Sequence, residues 1–87
     1  MKNKGFIMKA QEAVRKRIIE IAQQKNLSIN KIASNCYINT STITSLLNGH
    51  SKKSEITTIS KICFGLKISM REFFNSPLFD NIDDIEE

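Results

Sequence analysis

Residues 35–50 read NCYINTSTITSLLNGH, and the fold turns on how they are read. The stretch holds five Ser/Thr hydroxyls plus Tyr37, two isoleucines, and no Lys, Arg, Asp or Glu. Propensity favours a strand, because Thr, Ile and Tyr suit pleated backbone and lose side-chain freedom in a helix. Periodicity favours a helix. Ile43, Leu46 and Leu47 step by three and one, and two adjacent leucines break the alternation that a half-buried strand requires. Asn39 stands where an N-cap belongs, and Asn48-Gly49 offers a left-handed stop. The spacing therefore predicts a helix over about 40–48.

The flanking segments follow the same period. From about Lys9 to Lys25, Val14, Ile18, Ile21 and Ala22 share one helical face, with Arg15, Lys16 and Glu20 turned outward. Ser28 is a cap for a short helix carrying Ile29, Ile32, Ala33 and Cys36. Ser54 is expected to cap a fourth helix with Ile56, Ile59, Ile62 and Cys63, ending near Phe64-Gly65. Ser69 and Glu72 form a capping box that opens a fifth helix with Phe73 and Phe74, stopped before Pro77. Five short helices joined by a few residues predict one compact all-α domain.

Composition sets outer bounds. The 87 residues suffice for one core without disulfide staples. Residues 1–75 hold all 13 Lys/Arg against four acids, Glu12, Glu20, Glu55 and Glu72. Residues 76–87 hold the remaining five acids and no base. A basic body suggests a polyanionic partner, and an acidic end can compete with that partner or recruit a protein. The expected organisation is a flexible basic arm over 1–8 (with Met8 a second candidate start), one folded domain over 9–75, and an acidic tail over 76–87. Cys36 and Cys63 fall on apolar faces and are expected as buried free thiols. With one His and no CxxC, no metal site, disulfide framework or cofactor is expected. No secretory or membrane-spanning segment is present in the sequence, so a cytoplasmic, nucleoid-associated protein is expected.

The second and third helices, joined by about three residues, make a helix-turn-helix arrangement. Leu27-Ser28, Ile32-Ala33, Ile43, Leu46 and Asn48-Gly49 together resemble the lambda-repressor-like (Cro/C1-type) family. Residues 56–74, ITTISKICFGLKISMREFF, are similar to the ending of small single-domain regulators from low-GC Gram-positive bacteria and their mobile elements. The resemblance covers roughly residues 10–80. It implies a compact five-helix lambda-repressor-like fold, usually homodimeric, that binds double-stranded DNA as a transcriptional regulator, most often a repressor. It carries base contacts onto Thr40, Ser41, Thr44 and Ser45. It carries phosphate contacts onto the loop lysines Lys52 and Lys53, with Ser28, Lys31, Asn48 and His50 as further candidates. Two departures stand out: Ile29 follows the cap where the family has Gln or Thr, and Tyr37 begins the turn where the family has Gly. Tyr37 implies either a rearranged turn or a ring held by packing.

The residues support the same reading independently. With Ile43, Leu46 and Leu47 inward, Ser41, Thr44, Ser45 and Asn48 face outward, and the leading end of such a helix enters the major groove. Hydroxyls donate or accept one bond each and cannot make the bidentate pairs by which Arg reads guanine or Gln reads adenine. Direct readout should be modest, with DNA shape and half-site spacing supplying the remainder. An enzyme is not expected, because no catalytic constellation can be assembled around a single His. The rival is a protein-interaction module on the same fold, such as an antitoxin or antirepressor partner, using Phe73, Phe74, Leu78, Phe79, Ile82 and Ile85 near the acidic end. No sensor module is read in the sequence, so an inducer is expected to act through another protein.

Overall fold

The computed structural model describes residues 8–49 and 54–83. Helix α1 spans Ala10–Lys25, α2 Ile29–Cys36, α3 Thr40–Leu47, α4 Ile56–Leu66 and α5 Met70–Phe74, followed by a 3-10 turn at Pro77–Phe79. Thr40–Leu47 is a helix and not a strand. Burial of Ile43 and Leu46 on one face outweighs the few tenths of a kcal/mol per residue that Thr and Ile cost a helix.

The core is one cluster drawn from every helix: Val14, Ile18 and Ile21 of α1, Ile32, Ala33 and Cys36 of α2, Ile43 and Leu46 of α3, Ile59, Ile62, Cys63 and Leu66 of α4, and Phe73 of α5. Both cysteines are free and buried. Burial pushes both thiols up in pKa, Cys63 to about 11. At Cys36, desolvation outweighs the opposing backbone N–H groups and Lys61.

Ser28 caps as read, its Oγ accepting from Lys31 N at 3.1 Å, and the Ser69 half of the capping box forms, Ser69 Oγ accepting from Glu72 N at 3.1 Å, without a return bond from Ser69 N to the Glu72 carboxylate among the described residues. Ser54 does not cap α4. Glu55 occupies the N-cap position without a side-chain bond, and the Ser54 hydroxyl instead accepts from Gln11 Nε2 at 2.9 Å. Asn39 likewise holds the N-cap backbone of α3 without a side-chain bond. Helix α4 runs past Phe64-Gly65 to Leu66, where Lys67 takes the left-handed position at φ 64°. Gly65 is an interior contact: a Cβ there would stand 2.7 Å from Ile32 O and 3.1 Å from Cys36 Cβ, so its bareness lets α2 and α4 close together. Ile56, expected on the buried face, is 61% exposed.

From residue 76 to 83 the chain stays on the globule. Phe79 packs on the core and against Phe73 and Phe74, with ring centroids 6.0 and 5.0 Å away. Met8 and Ile82 form a parallel bridge, Met8 N donating to Asn81 O at 3.2 Å and Asp83 N to Met8 O at 3.0 Å. Arg17 locks α5 to α1. Its Nε donates to Phe73 O at 2.7 Å and its Nη2 to Glu72 O at 2.8 Å, while Nη1 pairs with Glu20 at 2.8 Å. A guanidinium on the last carbonyls of a short helix satisfies acceptors that have no partner inside that helix.

Candidate nucleic-acid interface

The turn between α2 and α3 keeps the tight geometry that the family resemblance implies. Tyr37 sits at φ 59°, ψ 38°, its N–H bonded to Ala33 O. Ile38 N donates to the same carbonyl at 3.2 Å, and the Ile38 side chain packs on the core. The turn is therefore not rearranged, and the ring is not held by packing either, since Tyr37 is 91% exposed. An L-residue in the left-handed region is strained by its own Cβ. Here the two bonds to Ala33 O and the anchoring of Ile38 hold the backbone there.

From the turn, Asn39 enters α3 with extended backbone, and its carbonyl accepts from Thr42 N at 3.0 Å. Ile43 and Leu46 seal the inner face and Leu47 packs at its margin. Thr40 and Ser41 are exposed at the leading end, while Thr44 and Ser45 along the outer face are half-buried. Thr42 is also exposed, beside the outward line that periodicity picks out. The first turn of α3 projects far enough for its flank to be open, which spacing alone does not convey. Thr40 Oγ1 donates to Asn30 Oδ1 of α2 at 3.4 Å, so an exposed Asn30 joins the leading end without having been a candidate. No charged side chain lies on α3, and its outer surface is a continuous array of hydroxyls.

At the start of α2, Ser28 Oγ already accepts from Lys31 N, while the N–H groups of Ile29 and Asn30 have no acceptor within the helix. With the exposed Lys31 in the same turn, this end presents positive potential at the surface. Ile29, at 36% exposure, adds no donor from its side chain. At the far end of α3, Asn48 is exposed and Gly49 reverses the chain at φ 79°. His50, Lys52 and Lys53 lie outside the described residues. Among the described residues no group of three or more His, Cys, Asp or Glu could hold a metal ion. None of the described helices is long and apolar enough to cross a membrane.

Comparison with known proteins gives this geometry its context. Residues 17–77 match the family model of the Cro/C1-type helix-turn-helix DNA-binding domain. The crystal structure of prophage Lp1 protein 11 is similar, at 38% identity and TM-score 0.68, over 88% of this chain and 93% of that one. The restriction-modification controller protein C.Esp1396I shares the fold, with TM-score 0.71 at 21% identity over 82% of this chain and 91% of that one. A comparison with curated proteins returns no match.

Proposed function

The chain belongs to the Cro/C1-type helix-turn-helix DNA-binding family, and from that membership we propose a sequence-specific regulator of transcription that acts in the cytoplasm as a homodimeric repressor and catalyses no reaction. Helix α3 enters the major groove. Thr40, Ser41, Thr44 and Ser45 meet base edges, and Ser28, Lys31, Asn48, His50, Lys52 and Lys53 hold phosphates. Two copies set two recognition helices about one turn of duplex apart, roughly 34 Å, and repression follows from occupying a promoter that overlaps such a site.

One observation carries this reading: an uncharged hydroxyl array on α3, exposed at Thr40, Ser41 and Thr42 and half-buried at Thr44 and Ser45, presented by a turn whose left-handed geometry persists at Tyr37. A charge-free face is poorly hydrated for a surface helix, yet it suits a groove where each hydroxyl adapts as donor or acceptor and Thr methyls meet the thymine methyl. Affinity then comes mainly from the phosphate contacts, with release of counterions.

The test is a mobility shift on the DNA upstream of the protein's own coding sequence, at two salt concentrations. A shift at low salt that weakens as salt rises is expected, and Lys31→Ala should lower the log–log salt slope by ~0.9. Absence of any shift at low salt overturns the reading in favour of a protein-interaction module. Selection from random DNA should return short half-sites with fixed spacing.

A further inference from the structure

Tyr37 is the most exposed large apolar or aromatic side chain among the described residues, and it is also one of three non-Gly residues at positive φ. Of the other two, Asn26 is of a type that accepts the left-handed region, and Lys67 keeps a charged end in water. Tyr37 alone combines a strained backbone with an uncovered aromatic ring. Nothing in the free chain makes use of that ring. Strain held at a surface position that gains nothing from it points to a function made elsewhere.

The position of Tyr37 relative to α3 narrows what could use it. Tyr37 is the C-cap of α2, and Thr40 opens α3 three residues later. Three residues span at most ~11 Å, and the major groove is ~12 Å wide. With the leading end of α3 in the groove, Tyr37 stands near the groove's edge, where the sugar–phosphate rail runs. The exposed residues around it in the chain are Ser34, Asn39, Thr40, Ser41 and Thr42, all polar and uncharged. A protein partner would bury an aromatic anchor within a cluster of apolar surface, which this stretch does not offer. From Ile21 to Ser54 the sequence carries four lysines and no acid, so this part of the chain favours a polyanion.

We propose that Tyr37 is a DNA-backbone contact, its phenol donating to a phosphate oxygen at the edge of the groove that α3 enters and its ring lying against the adjoining sugar. This rests on the DNA-binding reading above and adds a contact that Gly, which the family has at this position, cannot make. The phenol is a hydrogen-bond donor without charge. The contact therefore releases no counterion of its own and raises affinity without steepening the salt dependence. A backbone contact reads no base directly; it fixes how the protein is seated on the duplex, whatever the sequence. The side chain that strains the free turn thus acts only in the complex.

Tyr37 is the only tyrosine of the chain, so incorporating fluorotyrosine gives a single fluorine resonance that reports this ring alone. The labelled full chain is titrated at low salt with the duplex upstream of its coding sequence and with a duplex of unrelated sequence. A soluble gadolinium chelate should broaden the resonance strongly in the free chain and lose most of that effect at saturating DNA of either sequence. In the unlabelled chain Tyr37→Phe should raise the dissociation constant ~5-fold per bound subunit and Tyr37→Gly ~10-fold. The log–log salt slope should stay unchanged in both. A turn residue without a DNA contact predicts the opposite, since Tyr37→Gly relieves strain and would bind at least as well as the native chain. A ring that stays open to the chelate in the complex, or a Tyr37→Gly variant of native affinity, overturns the proposal and leaves the ring to a protein partner. A chain that binds both duplexes equally refutes the sequence-specific regulator and leaves this contact standing. A chain that binds neither refutes both.

Discussion

Replacing Tyr37 with Gly separates backbone strain from packing at the turn that aims α3. Tyr37 holds φ 59°, ψ 38° with its ring 91% exposed. A Cβ in that region costs ~1–2 kcal/mol through its contact with the following carbonyl, and Gly removes the contact. Against this, Gly gives the unfolded chain more freedom, worth ~0.5–1 kcal/mol. Loss of the ring itself counts for little, since it covers almost no other residue in the monomer. The difference favours Tyr37→Gly by ~0.5–1 kcal/mol, a rise of ~2–8 °C in melting temperature for a domain of this size. Circular dichroism melts at one fixed protein concentration measure it, the fixed concentration removing any effect of dimerisation. Asn26→Gly is the control. Asn26 has the similar φ of 56°, but Asn accepts the left-handed region more readily, so its gain should be smaller. A fall in melting temperature for Tyr37→Gly would mean that the ring is fastened to something and that the turn is not strained.

Substitutions at three further positions probe the interior and the links between helices. Gly65→Ala would gain ~1 kcal/mol from helix propensity alone, but its new Cβ would stand 2.7 Å from Ile32 O. A net loss of ~1–3 kcal/mol in urea melts is therefore expected, and any stabilisation would show that α2 and α4 are free to separate. Arg17→Ala should cost ~2 kcal/mol, and Arg17→Lys should recover less than half of it, because one ammonium cannot serve both Phe73 O and Glu72 O. Equal stability of the Lys variant and the native chain would deny the fork its role. The Cys63 thiol, at about 11 against an ordinary 9.0, stays protonated in the folded chain while the unfolded chain ionises. Its contribution is complete below pH 9 and lost as pH rises toward 11, on the order of 2–3 kcal/mol. Cys63→Ala should flatten the alkaline limb of a stability–pH profile, and an unchanged limb would refute the assignment.

What could be read from the chain beforehand divides by the range of the interaction. Ser28 and Ser69 cap as expected because the N–H each hydroxyl accepts belongs to its own first turn, three residues on. Ser54 has the same local credentials and fails, because Gln11 takes its hydroxyl from 43 residues away. Gly65 reads locally as a helix terminator, yet its purpose is set by Ile32 and Cys36 on another helix. Arg17 looks like one more surface base until the carbonyls of Phe73 and Glu72, more than fifty residues on, are placed beside it. On α3 the inward set was legible because period and burial are one fact seen twice, whereas the opening of Thr42 and the approach of Asn30 depend on how far the first turn projects.

From residue 76 to 83 a sparse apolar pattern, and not the charge pattern, decides where the chain lies. Five of the last twelve residues are acids, yet Phe79 docks among Phe73 and Phe74 and Ile82 pairs with Met8. Exposed like charges separated by about a Debye length repel weakly at physiological salt, whereas fully burying an aromatic side chain is worth ~1.5–3 kcal/mol and the partly buried Phe79 gains a share of that. Two anchors thus outweigh the acids up to Asp83. With Met8 bonded to Asn81 and Asp83, residues 8 and 83 lie side by side.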